Sequence, residues 1–308
     1  MDEKPKLSKK VGKNGMSFAI VLGGGGPVGV AWEAGLIAGL AEEDAAIITR
    51  ADRFIGTSAG AIIGSQLALG RTPAALFQGQ IARAESYAKQ HPVQPENSLP
   101  PIEQFQWFED LLKASLEGDV PRELLAKVGK MALEAHAMPE EQHIANFSSL
   151  VRAEESWPER FVCIATDAQE GTLAVWDKHS NINILYAIAA STAVPLLVTP
   201  IQINGHRYMD GGVRSSTNAD IAKGFNLVLI IAPLGALMPD LFKVPTQREI
   251  AAIEQGDGKA MLIVPDASST KEMGFNPMDF ARGGAVAKAG FKQGKKEIGR
   301  LKKFTAKK

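Results

Sequence analysis

A three-layer α/β/α fold around a mostly parallel central sheet is the architecture this sequence predicts. Three observations lead there. Apolar runs of strand length recur along the chain, notably Met16–Leu22, Phe161–Asp167 and Asn226–Ala232. Segments with apolar residues at helical spacing lie between them. The first two strands end in small-residue turns that open directly into helices, at Gly23–Gly29 and Gly56–Gly60. Strands alternating with helices throughout imply a sheet covered on both faces.

Composition limits the function classes. At 308 residues the chain has ample length for a buried core. Apolar residues at 45% and charged residues at 22% are ordinary for a globular protein, which sets aside fibrous and disordered classes. Lysine plus arginine equals aspartate plus glutamate, 34 each, so no global field favours nucleic acid or a membrane. Cys163 is the single cysteine, so no internal disulfide forms, and no Cys/His cluster suggests a metal. That fits a reducing, cytoplasmic location. Residues 1–15 read as a flexible polar arm, lysine-rich and without the apolar core of a secretory signal. Ile184–Ile203 is uncharged and long enough to span a bilayer, but Pro195 and Pro200 would break such a helix. A buried core segment is expected there.

The elements follow in order. Met16–Leu22 is a buried strand stopped by glycines, and the loop Gly23–Gly29 leads into VAWEAGLIAGLAEE, a helix with Pro27 in its first turn. A short strand, Asp52–Ile55, runs into Gly56-Thr57-Ser58-Ala59-Gly60 and a small-residue helix. From 72 to 150 the pattern is helical, broken by prolines at 92, 95, 100, 101 and 121, and suggests an inserted layer or cap. Its His91, His136 and His143 are expected at the surface. Phe161–Asp167 pairs with Thr172–Trp176; Asp167 is expected to cap the turn and Cys163 to fill core. A helix over Asn183–Ala190 precedes a strand pair, Ile201–Met209, turning at Asn204-Gly205 and ending in Asp210-Gly211-Gly212. Met261–Val264 is a further strand. The tail Phe291–Lys308 carries eight Lys/Arg against one Glu, with Phe291, Ile298, Leu301 and Phe304 at roughly helical spacing. Such a basic amphipathic end is a candidate for contact with anionic lipid, against a solvated terminal helix.

Two turns carry the chemistry. A glycine loop at a helix N-terminus offers free backbone N–H groups and the positive end of a dipole, which suits an anion. Gly24-x-Gly26-x-x-Gly29 also matches a dinucleotide fingerprint, but no acidic residue closes the second strand, which ends at Ser58 instead. No Gly-Lys-Ser/Thr is present, which excludes a nucleotide P-loop. Gly56-x-Ser58-x-Gly60 between strand and helix has the context of a nucleophile elbow, with the serine in a strained conformation.

The glycine loop after the first strand, G-x-S-x-G after the second and D-G-G after a late strand form a set that resembles the patatin-like phospholipase family. The likeness runs from about Phe18 to Ala222, through Ala190-Ser191-Thr192-Ala193-Val194-Pro195 and Tyr208-Met209-Asp210-Gly211-Gly212-Val213. It implies a patatin-like catalytic domain over 16–225, with 226–308 continuing the same domain. It also implies a hydrolase of lipid acyl esters, without metal or cofactor; the balanced charge speaks against nucleic-acid partners. Ser58 would be the nucleophile and Asp210 the base, with Gly24, Gly25 and Gly26 forming the oxyanion hole. Gly29, Gly56, Gly60, Gly211 and Gly212 would support these turns. The residues agree independently. A serine needs a base within reach, and a Ser–Asp–His order could draw only on Ser58, Asp167 and His179 or His206. Asp210, followed by two glycines, can be presented directly to the serine.

Two departures stand out. The family's loop usually carries Arg or Lys where this chain has Val28, which supplies no cation for a phosphate head group. The Asn-Pro pair that often follows D-G-G is replaced by Arg214-Ser215-Ser216-Thr217-Asn218-Ala219. The competing classes are a catalytically idle acyl- or lipid-binding module of the same fold and a nucleotide-binding oxidoreductase.

Overall fold

The computed structural model describes residues 16–90, 106–152, 155–236 and 239–306. The expected polar arm 1–15, His91 and the prolines at 92, 95, 100 and 101 lie outside the described residues. The strands are β1 (Phe18–Leu22), β2 (Arg53–Thr57), β3 (Phe161–Asp167), β4 (Leu173–Trp176), β5 (Ile201–Ile203), β6 (His206–Asp210), β7 (Leu227–Ile231) and β8 (Lys259–Ile263). They form one sheet in the order β5-β6-β3-β2-β1-β7-β8, with β4 paired to β3 off this path. The run from β3 to β8 is parallel, while β4, β5 and β6 are added antiparallel.

The helices are α1 (Gly26–Glu43), α2 (Ala46–Arg50), α3 (Ala59–Ala68), α4 (Pro73–Gln90), α5 (Gln106–Glu117) and α6 (Arg122–Glu134). They continue with α7 (Glu140–Ala145), α8 (Ile184–Ser191), α9 (Pro239–Glu254), α10 (Ala267–Met273) and α11 (Gly283–Thr305). Alternation along the strands sorts side chains into two layers. Phe18, Ile20 and Leu22 of β1 join Trp32, Leu36 and Leu40 of α1 and Val286 and Leu301 of α11. Ala19 and Val21 face the other way, onto Ile221, Phe225 and Ile253. Helical cover on both faces gives the three layers, and strands buried on both sides are why β1, β3 and β7 are almost wholly apolar.

The tail is part of this core. A Cβ on Gly35 of α1 would lie 2.0 Å from the Ala287 carbonyl oxygen, and one on Gly294 of α11 would lie 2.2 Å from that of Leu36. The two helices therefore pack backbone to backbone. Leu301 is buried, and Ile298 and Phe304 pack against the same cluster. The expected solvated terminal helix is thus docked along its apolar side, and only its lysine-bearing side remains for lipid contact. The uncharged stretch 184–203 is core as expected, with Ile184, Leu185 and Ile188 buried. No helix among the described residues is long and apolar enough to cross a membrane.

His143 corrects an expectation. It is buried on α7, with Nε2 3.0 Å from Thr192 Oγ1 and its ring edge-on to Phe147. Burial pushes its pKa down to about 4, so the ring is neutral at pH 7. Which face of so short a helix is buried depends on α8, against which it docks. His136 is exposed, as expected.

Candidate active site

Strand register assembles the site. Leu22 pairs with Gly56, Thr57 with Ile164 and Ala165 with Asp210, so the ends of β1, β2 and β6 meet at one edge of the sheet. Ser58 stands at the sharp turn from β2 into α3, with φ 53° and ψ −115°. That is left-handed territory for a residue with a side chain. The glycines around it leave no alternative path: a Cβ on Gly60 would lie 2.0 Å from the Leu22 carbonyl oxygen, and one on Gly56 would lie 2.5 Å from that of Gly60. Ser58 occupies the N-cap of α3, yet its hydroxyl makes no capping bond. Its backbone N–H donates to Ser191 Oγ at 2.9 Å, and that hydroxyl donates to the Ile164 carbonyl at 2.6 Å. The elbow is fastened through its backbone, and the side chain is left for other work.

That side chain lies close enough to Asp210 for its hydroxyl to lower the pKa of the carboxyl. Asp210 is 5% exposed and Ser58 7%. Burial pushes the carboxyl up to about 6, and the Gly212 amide and the Ser58 hydroxyl pull it partway back. The Gly212 N–H donates to Asp210 Oδ1 at 2.7 Å. A Cβ on Gly211 would lie 2.7 Å from the Ile164 carbonyl oxygen, so the glycine after the aspartate lets the turn press against β3.

The glycine loop faces Ser58: a Cβ on Gly24 would lie 3.5 Å from Ser58 Cβ. Its amides are not equivalent. The Gly24 N–H donates to the Ser216 carbonyl at 2.7 Å, which removes it from the expected set of three oxyanion donors. The Gly25 and Gly26 amides have no acceptor among the described residues. They lie at the N-terminus of α1, where such groups are unsatisfied by construction. Gly26 holds φ +60°, and Gly29 donates to the Gly25 carbonyl at 2.8 Å. The Ala59 amide, the first of α3, is likewise without an acceptor among the described residues. Residues following a nucleophile commonly supply an oxyanion donor, a signal available in the sequence. Val28 is fully buried in the core cluster, so no charge could reach the loop from that position without entering the core.

Other residues at the site escape sequence reasoning. Asn218, buried at φ 47°, donates to Thr57 Oγ1, to the Gly211 carbonyl and to the Ser215 carbonyl. Glu249 accepts from Ser215 Oγ, Thr217 Oγ1 and the Ala219 amide, and burial pushes its carboxyl up to about 7. Glu33 of α1 is fully buried, and neither carboxyl oxygen has a hydrogen-bond partner among the described residues.

The alternative histidines are elsewhere. His206 opens β6, half exposed and 2.9 Å from Asp167 Oδ2. Four residues of strand, roughly 13 Å, separate it from Asp210. Asp167 Oδ1 also accepts from the Gln169 and Glu170 amides, the turn-capping role expected of it. His179 is exposed beyond β4. Cys163 is core, and burial pushes its thiol up to about 12. A cavity of about 620 Å³ lined by Ile48, Leu67, Phe77, Arg160 and Phe291 includes none of the site residues. No group of side chains among the described residues could hold a metal ion.

The family model for the patatin-like phospholipase domain matches residues 20–223, which spans the glycine loop, Ser58 and Asp210. No curated protein matches the chain. Among solved structures, VipD from Legionella pneumophila aligns at a TM-score of 0.45 and 15% identity, covering 97% of this chain and 72% of VipD. The type III effector protein ExoU aligns at a TM-score of 0.36 and 14% identity, covering 91% of this chain and 53% of ExoU.

Proposed function

Because the chain belongs to the patatin-like phospholipase family, we propose that it is a lipid acyl hydrolase working through a Ser58–Asp210 dyad and an acyl-enzyme. The observation that carries this reading is the strained Ser58, whose hydroxyl is spared from capping and lies near enough to the buried Asp210 carboxyl to lower its pKa. Ser58 Oγ attacks the ester carbonyl carbon while its proton passes to Asp210. A carboxylate of pKa near 3.9 is a feeble base; one pushed up to about 6 by burial is better matched to neutral pH.

The tetrahedral oxyanion is held by the Gly25 and Gly26 amides, with Ala59 as a third donor, each worth on the order of 3 kcal/mol. Asp210 returns the proton to the departing alcohol. A water then attacks the acyl-Ser58 carbonyl and gives its proton to Asp210, which passes it to the departing Ser58 Oγ, so that the fatty acid leaves and the free serine and ionised Asp210 are restored. With Val28 buried, the loop offers no cation to a phosphate, which favours an ester recognised by its acyl part.

The test is hydrolysis of p-nitrophenyl esters together with labelling by a fluorophosphonate probe. Wild type is expected to do both; Ser58→Ala and Asp210→Ala lose turnover while keeping the fold. Labelling absent from a folded wild type would support the idle acyl-binding module instead, and full turnover in Ser58→Ala would end the dyad reading.

A further inference from the structure

The loop that covers the glycine cradle bears an unusual load of exposed apolar surface. Phe275 is 98% exposed, and Met278 and Phe280 follow at 40% and 41%. The loop is seated on the site. The Val28 amide donates to the Pro277 carbonyl at 3.2 Å, and a Cβ on Gly26 would lie 2.6 Å from that oxygen and 3.2 Å from Met278 Sδ. Beyond it, the Phe280 ring stacks on Tyr87 of α4 at 5.5 Å. The loop is thus tied down on either side of Met278, while Phe275 faces solvent. A ring so placed forgoes the burial that drives apolar groups together, and clustered exposed apolar side chains mark contact surfaces.

The partner's chemistry follows from position and charge. Ser58 and Asp210 are nearly closed off, and this loop lies directly against Gly26 of the cradle beside them. On the Asp210 side, where the Ala193 carbonyl accepts the Asp210 amide, the same turn carries Leu197 at 38% exposure, bonded to Met138 at 37%. Apolar groups therefore flank the site on both sides. Charges beside the loop balance: Lys271 and Arg282 against Glu272 and Asp279, with Arg282 Nε 3.1 Å from Asp279 Oδ2. Recognition there is by apolar contact, not by field.

We propose that the Gly274–Phe280 loop docks the protein on a lipid surface, Phe275 and Met278 entering the acyl layer and bringing the glycine cradle to an ester held in it. This rests on the acyl-hydrolase reading above. It differs from contact through the lysine side of α11, which would depend on anionic head groups.

Co-sedimentation with phosphatidylcholine vesicles at low and high salt tests it, in a Ser58→Ala background so that the lipid survives. Ser58→Ala is expected to partition onto vesicles independently of salt, and adding Phe275→Asp is expected to lower partitioning roughly tenfold or more, as loss of one buried ring implies. Equal partitioning of the two, or no partitioning by Ser58→Ala, overturns the proposal. So does salt-sensitive binding that survives Phe275→Asp and is lost on Lys292→Glu/Lys296→Glu. A Phe275→Asp protein that changes oligomeric state would show that a second copy covers the loop, and also overturns it. Hydrolysis of soluble p-nitrophenyl butyrate is measured alongside, and Phe275→Asp is expected to match wild type. Failure of wild type on that ester sinks the acyl-hydrolase reading, while the vesicle measurement still decides the docking.

Discussion

Asn218 fastens the turn after Asp210 to β2: its side-chain amide donates to the Thr57 hydroxyl at 3.2 Å, one residue before the proposed nucleophile. The same amide donates to the Gly211 and Ser215 carbonyls, and Asn218 Oδ1 accepts from Arg214 at 2.6 Å. One side chain thus holds both halves of the proposed dyad in register. Asn218→Gly keeps the left-handed backbone accessible while deleting these bonds. Leaving buried groups unpaired costs about 1–3 kcal/mol each. The expected result is a folded protein with kcat on a p-nitrophenyl ester reduced roughly tenfold or more and KM little changed. Wild-type kcat in this variant would remove Asn218 from the positioning of the site.

Asp210 couples activity to pH. As the base it must be ionised, so kcat/KM is expected to fall as pH drops through about 6. Stability runs the other way. The folded carboxyl is raised above its unfolded value, so its contribution is full below about pH 4 and is lost as pH rises through about 6. Asp210→Asn, which needs no ionisation, is expected to be more stable than wild type at pH 8 by on the order of 3 kcal/mol. The gain should vanish near pH 4. Urea denaturation at the two pH values measures it, and a gain equal at both would assign it to something other than titration.

Gly60 tests the elbow by space alone. A Cβ there would lie 2.0 Å from the Leu22 carbonyl oxygen, at the C-terminal end of β1. The backbone of two packed elements would have to part, at a cost of about 3 kcal/mol or more. Gly60→Ala is expected to lower the thermal midpoint by several degrees and to lose esterase activity. Gly70→Ala, at a position with nothing within 4 Å, is the control for a glycine held only by its φ of +86°.

The two turns were legible because local chemistry enforces them: no other residue than glycine fits at Gly56 and Gly60, and D-G-G brings Asp210 to β3 without a side chain between. The unbroken apolar run of β1 likewise announced a strand buried on both faces. What stayed hidden depends on partners distant in the chain. Gly24 looks like its neighbours until Ser216 takes its amide. Asn218 reads as a loop residue until it meets Thr57, 161 positions away. The basic tail has the pattern of a surface helix, and only the glycine pairs at 35 and 39 and at 290 and 294, each four apart on one helical face, hinted that α1 and α11 lie backbone to backbone. His143 failed for the same reason, since a six-residue helix has too few residues to show which side is buried.

Glu33 of α1 is wholly buried, with both oxygens unpartnered among the described residues. The nearby Gly23 amide gives little relief because it already donates to the Ile231 carbonyl at 2.9 Å. Burial therefore pushes the carboxyl well above its ordinary value. The unfolded chain releases the carboxyl proton above about pH 4.5, so the native state binds more protons and stability falls as pH rises towards the folded pKa. Each such group contributes a slope of about 1.4 kcal/mol per pH unit within its window. Asp210 and Glu249 act with the same sign, both being raised, so wild type alone cannot separate the three. Glu33→Gln can, because the amide keeps the shape and removes the proton. The difference in urea stability between Glu33→Gln and wild type is expected to grow in favour of the variant as pH rises above about 4.5. A difference that stays flat over that range would mean Glu33 is ionised inside the fold, and that a partner for it exists.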